Sequence, residues 1–297
     1  MVLILGSNGY CGSYFKKLQN HPQYPLIKCY DGETLRFPID EKKFATYLLE
    51  NNITRVINCL GVTGKPNVDA CEEENSKLNV LQGNVLLVQQ LCNVCIKYGV
   101  KFVQISSGCL YRDLGCELGV DPMMEFTEED EPNFCFGKKA SWYSGTKKLC
   151  EDILKPHFDQ ILVARLRIPF GSDLSEKNYI NKILKYDTLL NATNSFSNIE
   201  EFAQAVYYLS KEHTGIFNIV QPGYMSTKQI IHLINRENFN KSPKFFNNID
   251  EFNKTVKAPR SNCVLSPAKA LRAGCKLTPI QQSFEQAIQQ IKNAKKN

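Results

Sequence analysis

Apolar positions along this chain fall into short runs that alternate between two periods. Val2–Leu5, Leu26–Tyr30, Arg55–Leu60, Lys101–Ser106 and Ile161–Ile168 are aliphatic or β-branched stretches of strand length. Between them, a segment from about Gly9, then Glu41–Glu50, Leu78–Tyr98 and Tyr143–Leu154 carry apolar residues at helical spacing. Strand alternating with helix predicts an α/β fold, a doubly wound parallel sheet covered on both faces. The rhythm breaks over Leu110–Lys139, which is rich in Gly, Pro and acidic residues and too long for an idle connection; such loops ordinarily serve a site. The last third mixes strands, helices and Pro-containing loops without a clear period, and is expected to hold a smaller domain. There is no internal repeat.

A length of 297 residues suits one large core with a satellite. No apolar run reaches the roughly 18 residues that would suggest a membrane span, and the apolar start runs into Gly6 without a basic leader. A soluble, cytoplasmic protein is expected. Twelve cysteines are scattered along the chain, several inside apparent core segments, so they read as reduced thiols rather than a disulfide framework. Cys92 and Cys95 form a lone C-x-x-C inside a helical run, with no second pair, and no metal site is expected. The net charge of +6 is spread out; it suits an anionic substrate and does not argue for nucleic acid. Lys292, Lys295 and Lys296 read as a solvated tail.

The first chemical motif is Gly6-Ser7-Asn8-Gly9-Tyr10-Cys11-Gly12, where the first strand hands over to the first helix. Gly6 permits a tight turn, Gly9 lets backbone amides approach a pyrophosphate, and Gly12 lets the helix lie close on the strand. Asp31, nineteen residues past Gly12, is where a carboxylate would accept a ribose 2′-hydroxyl and favour NAD. Arg36 argues the other way, since a guanidinium holds the 2′-phosphate of NADP; NADPH is the expected cofactor, with NADH as the alternative. Ile39 and Asp40 are placed to touch the adenine, Asp40 also being a ready helix N-cap. Cofactor contacts are thus expected from Gly6, Asn8, Gly9, Tyr10, Cys11 and Gly12, from Asp31, Arg36, Ile39 and Asp40, and from Cys59 and Gly61 after the third strand.

The second motif is Tyr143-Ser144-Gly145-Thr146-Lys147, with phenol and amine four apart on one helical face. An ammonium beside a phenol is expected to draw its pKa down toward the working pH. Ser106-Ser107 ends the strand before the long loop, where open α/β sheets put their ligand crevice. Ser, Tyr and Lys in this order after a glycine-rich first turn resemble the catalytic set of short-chain dehydrogenases. That resemblance implies Ser107 holding a carbonyl, Tyr143 as acid and Lys147 as its partner and a cofactor contact.

Two further segments, Gly61-Val62-Thr63-Gly64-Lys65-Pro66-Asn67-Val68-Asp69 and Ala258-Pro259-Arg260-Ser261-Asn262, resemble loops of the nucleotide-rhamnose synthase/epimerase-reductase family, relatives of the dTDP-4-dehydrorhamnose reductases. The similarity runs from the first strand to about Leu271. It implies an extended Rossmann domain over residues 1–168 with a returning segment at about 192–221, and a smaller α/β substrate domain from 169–191 and 222–297. The implied activity is epimerisation, then NADPH-dependent 4-reduction, of a UDP- or dTDP-4-keto-6-deoxy-glucose. Cys109 and Lys182 are the candidate epimerase acid/base pair: Cys109 stands two residues past Ser107 at the same strand end, where a thiol near cations and a cofactor is expected to titrate near neutrality, and Lys182 matches the family's position for the second acid/base. Thr63, Lys65, Asn67, Arg167, Asn178, Arg260 and Asn262 are the implied substrate contacts. Arg260 suits a diphosphate clamp, and one of Arg165 and Arg167 is expected to serve as a plain ion-pair partner. A homodimer is expected by the same resemblance. An acetamido-sugar substrate epimerised at carbon 3 alone, or a non-catalytic dinucleotide-binding regulatory subunit, are the alternatives.

Overall fold

The computed structural model describes residues 1–24, 26–117, 119–137 and 140–295; Lys139 and Lys296, named above, lie outside them. Its main elements are β1 (Val2–Leu5), α1 (Tyr10–Leu18), β2 (Ile27–Cys29), α2 (Glu41–Glu50) and β3 (Arg55–Asn58). A long helix α3 follows in three pieces, Glu74–Leu81, a π turn Gln82–Leu86, and Leu87–Lys97. Then come β4 (Lys101–Ser107), α4 (Trp142–Leu154), β5 (Leu162–Leu166), α5 (Tyr179–Lys185), α6 (Ile199–Leu209), β6 (Gly215–Asn218), α7 (Thr227–Arg236) and α8 (Ile280–Ala294).

The six strands form one sheet in the order β2-β1-β3-β4-β5-β6, every neighbouring pair parallel. β1 shows why these runs lack polar alternation: both of its faces are covered. Val2 and Ile4 join Phe15 of α1 and Phe202 and Val206 of α6, while Leu3 and Leu5 join Phe44, Leu48, Val88 and Leu154 on the other side. The chain leaves β1 toward β2 and returns to β3 on the opposite flank. The loops after β1 and β3 therefore diverge, opening a crevice at the carboxyl ends of the strands.

A separate apolar cluster gathers Phe170, Ile180, Phe196, Ile230, Phe284 and Ile288, with the Phe170 and Phe284 rings stacked at 4.0 Å. The long loop after β4 is knotted by Asp113, whose carboxylate accepts the N–H groups of Gly115, Cys116, Met123 and Met124. Its Phe126 pairs alongside Leu265, which brings the C-terminal segment up to the end of β4. Two expectations change. α3 begins at Glu74 rather than Leu78, and two of the C-terminal lysines have partners: Lys292 pairs with Glu237 at 3.0 Å, and Lys295, though exposed, lies 5.3 Å over the Phe239 ring. Cys92 and Cys95 are buried in the core beneath the sheet. Among the described residues no helix is long and apolar enough to cross a membrane.

Candidate active site

The turn after β1 has the shape a pyrophosphate requires. Gly6 takes φ +73°, and the Gly9 N–H donates to its carbonyl at 2.9 Å. A Cβ on Gly12 would stand 2.1 Å from the Gly6 oxygen, so only glycine lets α1 approach β1 this closely. Gly9 caps α1 without any side-chain hydrogen bond, leaving the first amides of the helix for an anion. A Cβ on Gly61 would meet Asn84 Oδ1 at 3.2 Å and Lys147 Nζ at 3.6 Å, which ties this crevice to the second motif. These cradles fit a dinucleotide. Asn8 is exposed beside the turn. Burial pushes the Cys59 thiol well up, and the neighbouring Cys11 thiol adds to the shift.

Several expected cofactor side chains are engaged elsewhere. The Tyr10 hydroxyl donates to Asp173 at 3.2 Å, and Tyr14 donates to the same oxygen. Burial first, then Tyr14 and Asp173, raise the Tyr10 phenol, so this side chain straps α1 to the loop beyond β5 instead of facing the turn. Asp31 is turned toward α2, accepting from Tyr47 at 2.6 Å with Lys28 at 3.8 Å. Asp40 accepts from the Lys43 N–H at 3.0 Å as the N-cap of α2, and the Ile39 N–H donates to Gln90 at 3.0 Å. Arg36 is exposed and lines, with Ile39, Lys43 and Phe44, a pocket of about 190 Å³.

The second motif meets the end of β4. Gly108 lies so close to the C-terminal segment that a Cβ there would stand 2.3 Å from Leu265 Cδ1. The Cys109 N–H donates to Ser107 Oγ at 3.3 Å, and the Ser107 hydroxyl stands near enough to the Tyr143 phenol to act on its pKa. α4 is started by Ser141, whose Oγ accepts the Ser144 N–H at 3.0 Å, and by Glu72, which accepts the Trp142 N–H at 2.7 Å. Lys147 is buried with its Nζ 5.8 Å from the Tyr143 ring centroid. The expected fall in the Tyr143 pKa is corrected here. Burial drives the phenol well up, the Cys109 and Cys71 thiols add to it, and only the Ser107 hydroxyl opposes them. A phenol so placed stays protonated and is suited to donate.

On α5, burial lowers the Lys182 pKa, and the cations Lys177 and Arg260 lower it further. Arg260 does not present an open fork: Asp69 takes it bidentately at 2.8 and 3.1 Å. Burial works to raise the Asp69 carboxyl, but Arg260 and the Ala258 amide outweigh it and the group ends below its ordinary range. The stability this supplies is full above the unfolded pKa of about 3.9 and fades as pH falls through the folded value. Asp69→Asn should therefore lower the urea midpoint at neutral pH, with the deficit closing in acid. A deficit independent of pH would remove the ion pair as its cause.

Asn178 is corrected outright. It caps α5 through Ile180, and its amide donates to the carbonyls of Gly171 and Asp173 at 2.7 and 2.8 Å, so the buried side chain has nothing left for substrate. Asn67 accepts from the Asp69 N–H at 2.8 Å as a local cap, while Thr63 and Lys65 stand exposed on the same loop. Of the two arginines, Arg165 is the ion-pair residue, held by Glu151 at 2.6 Å and buried with it. Arg167 is buried with no carboxylate partner among the described residues; it donates to Asn194 at 2.5 Å, and its Nε finds no acceptor. Asn194 in turn donates to Asn262 Oδ1 at 3.2 Å, and Asn262 Nδ2 is likewise unpartnered.

Three contributors escaped sequence reasoning. Asn84, in the π turn of α3, accepts from the Val62 N–H at 2.7 Å and donates to the Val62 carbonyl at 2.9 Å and to Thr146 at 3.3 Å. It thereby locks the Gly61–Thr63 loop to α4, and π turns often mark such places. Glu72 and Asn194 are the others. A lone Asn within the apolar helical run Leu81–Leu87 was the one available signal.

Comparison with known proteins places this geometry. A bifunctional dTDP-4-dehydrorhamnose 3,5-epimerase/dTDP-4-dehydrorhamnose reductase of Arabidopsis thaliana is 30% identical over 286 residues, 95% of this chain and 90% of that protein. A trifunctional UDP-glucose 4,6-dehydratase/UDP-4-keto-6-deoxy-D-glucose 3,5-epimerase/UDP-4-keto-L-rhamnose-reductase of the same plant is 33% identical over 78% of this chain, which spans only 34% of that larger protein. The crystal structure of the L780 UDP-rhamnose synthase of Acanthamoeba polyphaga mimivirus shares the fold at TM-score 0.86, with 23% identity over 97% of this chain and 98% of that one. A Bacillus anthracis dTDP-4-dehydrorhamnose reductase in complex with NADP shares it at TM-score 0.76 and 16% identity, over 98% of this chain and 97% of its own. With residues 1–293 matched by the RmlD substrate binding domain, the chain belongs to that family, a group of extended short-chain dehydrogenase relatives.

Proposed function

We propose that this chain is a nucleotide-sugar epimerase and NADPH-dependent 4-keto reductase, converting UDP-4-keto-6-deoxy-glucose to a UDP-6-deoxy-L-hexose of the rhamnose type. Membership in a family of 4-keto-rhamnose reductases and epimerases supports the reaction class. The observation that carries the reading is the meeting of a protonated phenol, a hydroxyl and a thiol, Tyr143, Ser107 and Cys109, at the end of β4. In this reading residues 1–168 and 192–221 hold the dinucleotide, and 169–191 with 222–297 hold the sugar nucleotide.

Bound in the Gly6–Gly12 cradle, the dinucleotide supplies the hydride that reduces carbon 4. The chain's own residues do the rest. Ser107 and Tyr143 hold the carbon-4 oxygen, and Tyr143 gives it a proton as charge develops there. Lys147, buried against the phenol ring, stabilises the negative charge that the donated proton leaves behind. A keto group at carbon 4 acidifies the hydrogens on the adjoining carbons. Cys109 takes a proton on one face and Lys182, whose lowered pKa makes it a more available base, serves the other.

Incubation with NADPH and UDP-4-keto-6-deoxy-glucose, followed by mass spectrometry and sugar configuration analysis, tests this. Consumption of NADPH with formation of an L-configured product supports it. Turnover only of an acetamido analogue would move the substrate assignment, and no NADPH consumption with any 4-keto-6-deoxy sugar nucleotide would leave a non-catalytic dinucleotide-binding subunit.

A further inference from the structure

The cofactor end of the crevice contains an arrangement that the reaction does not explain. Asp31 follows β2, where a carboxylate ordinarily accepts the adenosine ribose hydroxyls and repels a 2′-phosphate. Here its Oδ1 accepts the Tyr47 hydroxyl at 2.6 Å, and its Oδ2 faces Lys28 at 3.8 Å. Both partners are themselves held. Lys28 Nζ donates to Asn51 at 2.7 Å and lies 5.4 Å over the Tyr47 ring, and that ring packs on Tyr30 at 4.8 Å between centroids. The carboxylate is thus engaged by Tyr47 and Lys28 and is not among the groups lining the adjoining pocket of Thr34, Arg36, Ile39 and Lys43. In that pocket Lys43 is paired with Glu33 at 2.6 Å, and Asp40 is committed to capping α2. Arg36 has no ionic partner among the described residues, so the pocket keeps one uncommitted cation.

We propose that Tyr47 is the positioning residue that sets cofactor choice: by holding Asp31 against α2 it removes the charge that would exclude a 2′-phosphate and leaves Arg36 to receive it. The inference rests on the dinucleotide reading of the Gly6–Gly12 turn and adds the identity of the 2′ group. Arg36 is the direct contact; Tyr47 touches no cofactor atom and acts through Asp31.

The test is direct binding, read by the fluorescence of reduced nicotinamide in titrations of NADPH and NADH, with no sugar present. The parent protein should bind NADPH the more tightly. Tyr47→Phe keeps the ring and its packing on Tyr30 and removes only the hydroxyl. The ratio of the two dissociation constants should shift toward NADH by about fivefold, the scale of one exposed ionic contact. Adding Asp31→Asn to that variant should restore the NADPH preference, because the neutral amide no longer repels phosphate. Arg36→Gln should weaken NADPH and leave NADH in place. A ratio unmoved by Tyr47→Phe, or one that moves toward NADPH, overturns the proposal, as does a parent that prefers NADH. A parent that binds neither dinucleotide overturns it together with the reading it rests on, which separates the two failures.

Discussion

Tyr143→Phe is expected to cut ketone reduction by about 10²- to 10⁴-fold, the range for loss of a positioned general acid. Proton exchange at the adjoining sugar carbons should survive, since it is assigned to Cys109 and Lys182. The variant keeps the ring, and with it the packing against Lys147, so the loss isolates the hydroxyl. Burial raises the Tyr143 pKa, so the proton is present throughout the neutral range. Reduction by the parent should accordingly show no fall near pH 7 that traces to this phenol. Two measurements on one sample decide it: NADPH oxidation by absorbance, and deuterium incorporation from solvent into recovered sugar nucleotide. If exchange disappears along with reduction, the two steps share Tyr143 and the separate assignment is wrong.

The sheet and the glycine turn were legible for a common reason. Both depend on local constraints: a strand buried on both faces must be apolar throughout, and a helix residue whose Cβ would stand 2.1 Å from the Gly6 oxygen of the turn must be glycine. Ser107 and Tyr143 were legible by position, one at a strand end and one at a helix start. What escaped depends on partners distant in sequence. Tyr10 finds Asp173 163 residues away, and Arg260 finds Asp69 191 residues away, so neither commitment leaves a trace near the residue itself. Asn178 looked available because an Asn before a helix is equally a cap and a ligand, and only the carbonyls of Gly171 and Asp173 decide between them. The direction of the Tyr143 shift failed differently. Spacing on a helix reports that Lys147 is near, but desolvation is set by everything packed around the phenol, and the Cys109 and Cys71 thiols, from two other segments, add their own electrostatic push upward.

Cys109→Ser should do the reverse of Tyr143→Phe. Its Sγ belongs to a segment fixed by three local constraints: the Cys109 N–H on Ser107, the glycine-only approach of Gly108 to Leu265, and the Cys263 thiol donating to the Gly108 carbonyl at 3.6 Å. A serine fits that backbone with little change, so folding and dinucleotide binding should persist. A hydroxyl is a far weaker proton acceptor than a thiolate, and deuterium exchange at the carbon it serves should fall about 10²-fold or more. Reduction is expected to continue on a substrate that needs no epimerisation, which keeps the reductive half of the site as an internal control. Cys109→Ala sharpens the result by removing the exchangeable side-chain proton from the position. Should either variant yield the L-configured product at the parent's rate, Cys109 only packs beneath Tyr143. The epimerase base must then be sought among the other groups facing the phenol, Cys71 first.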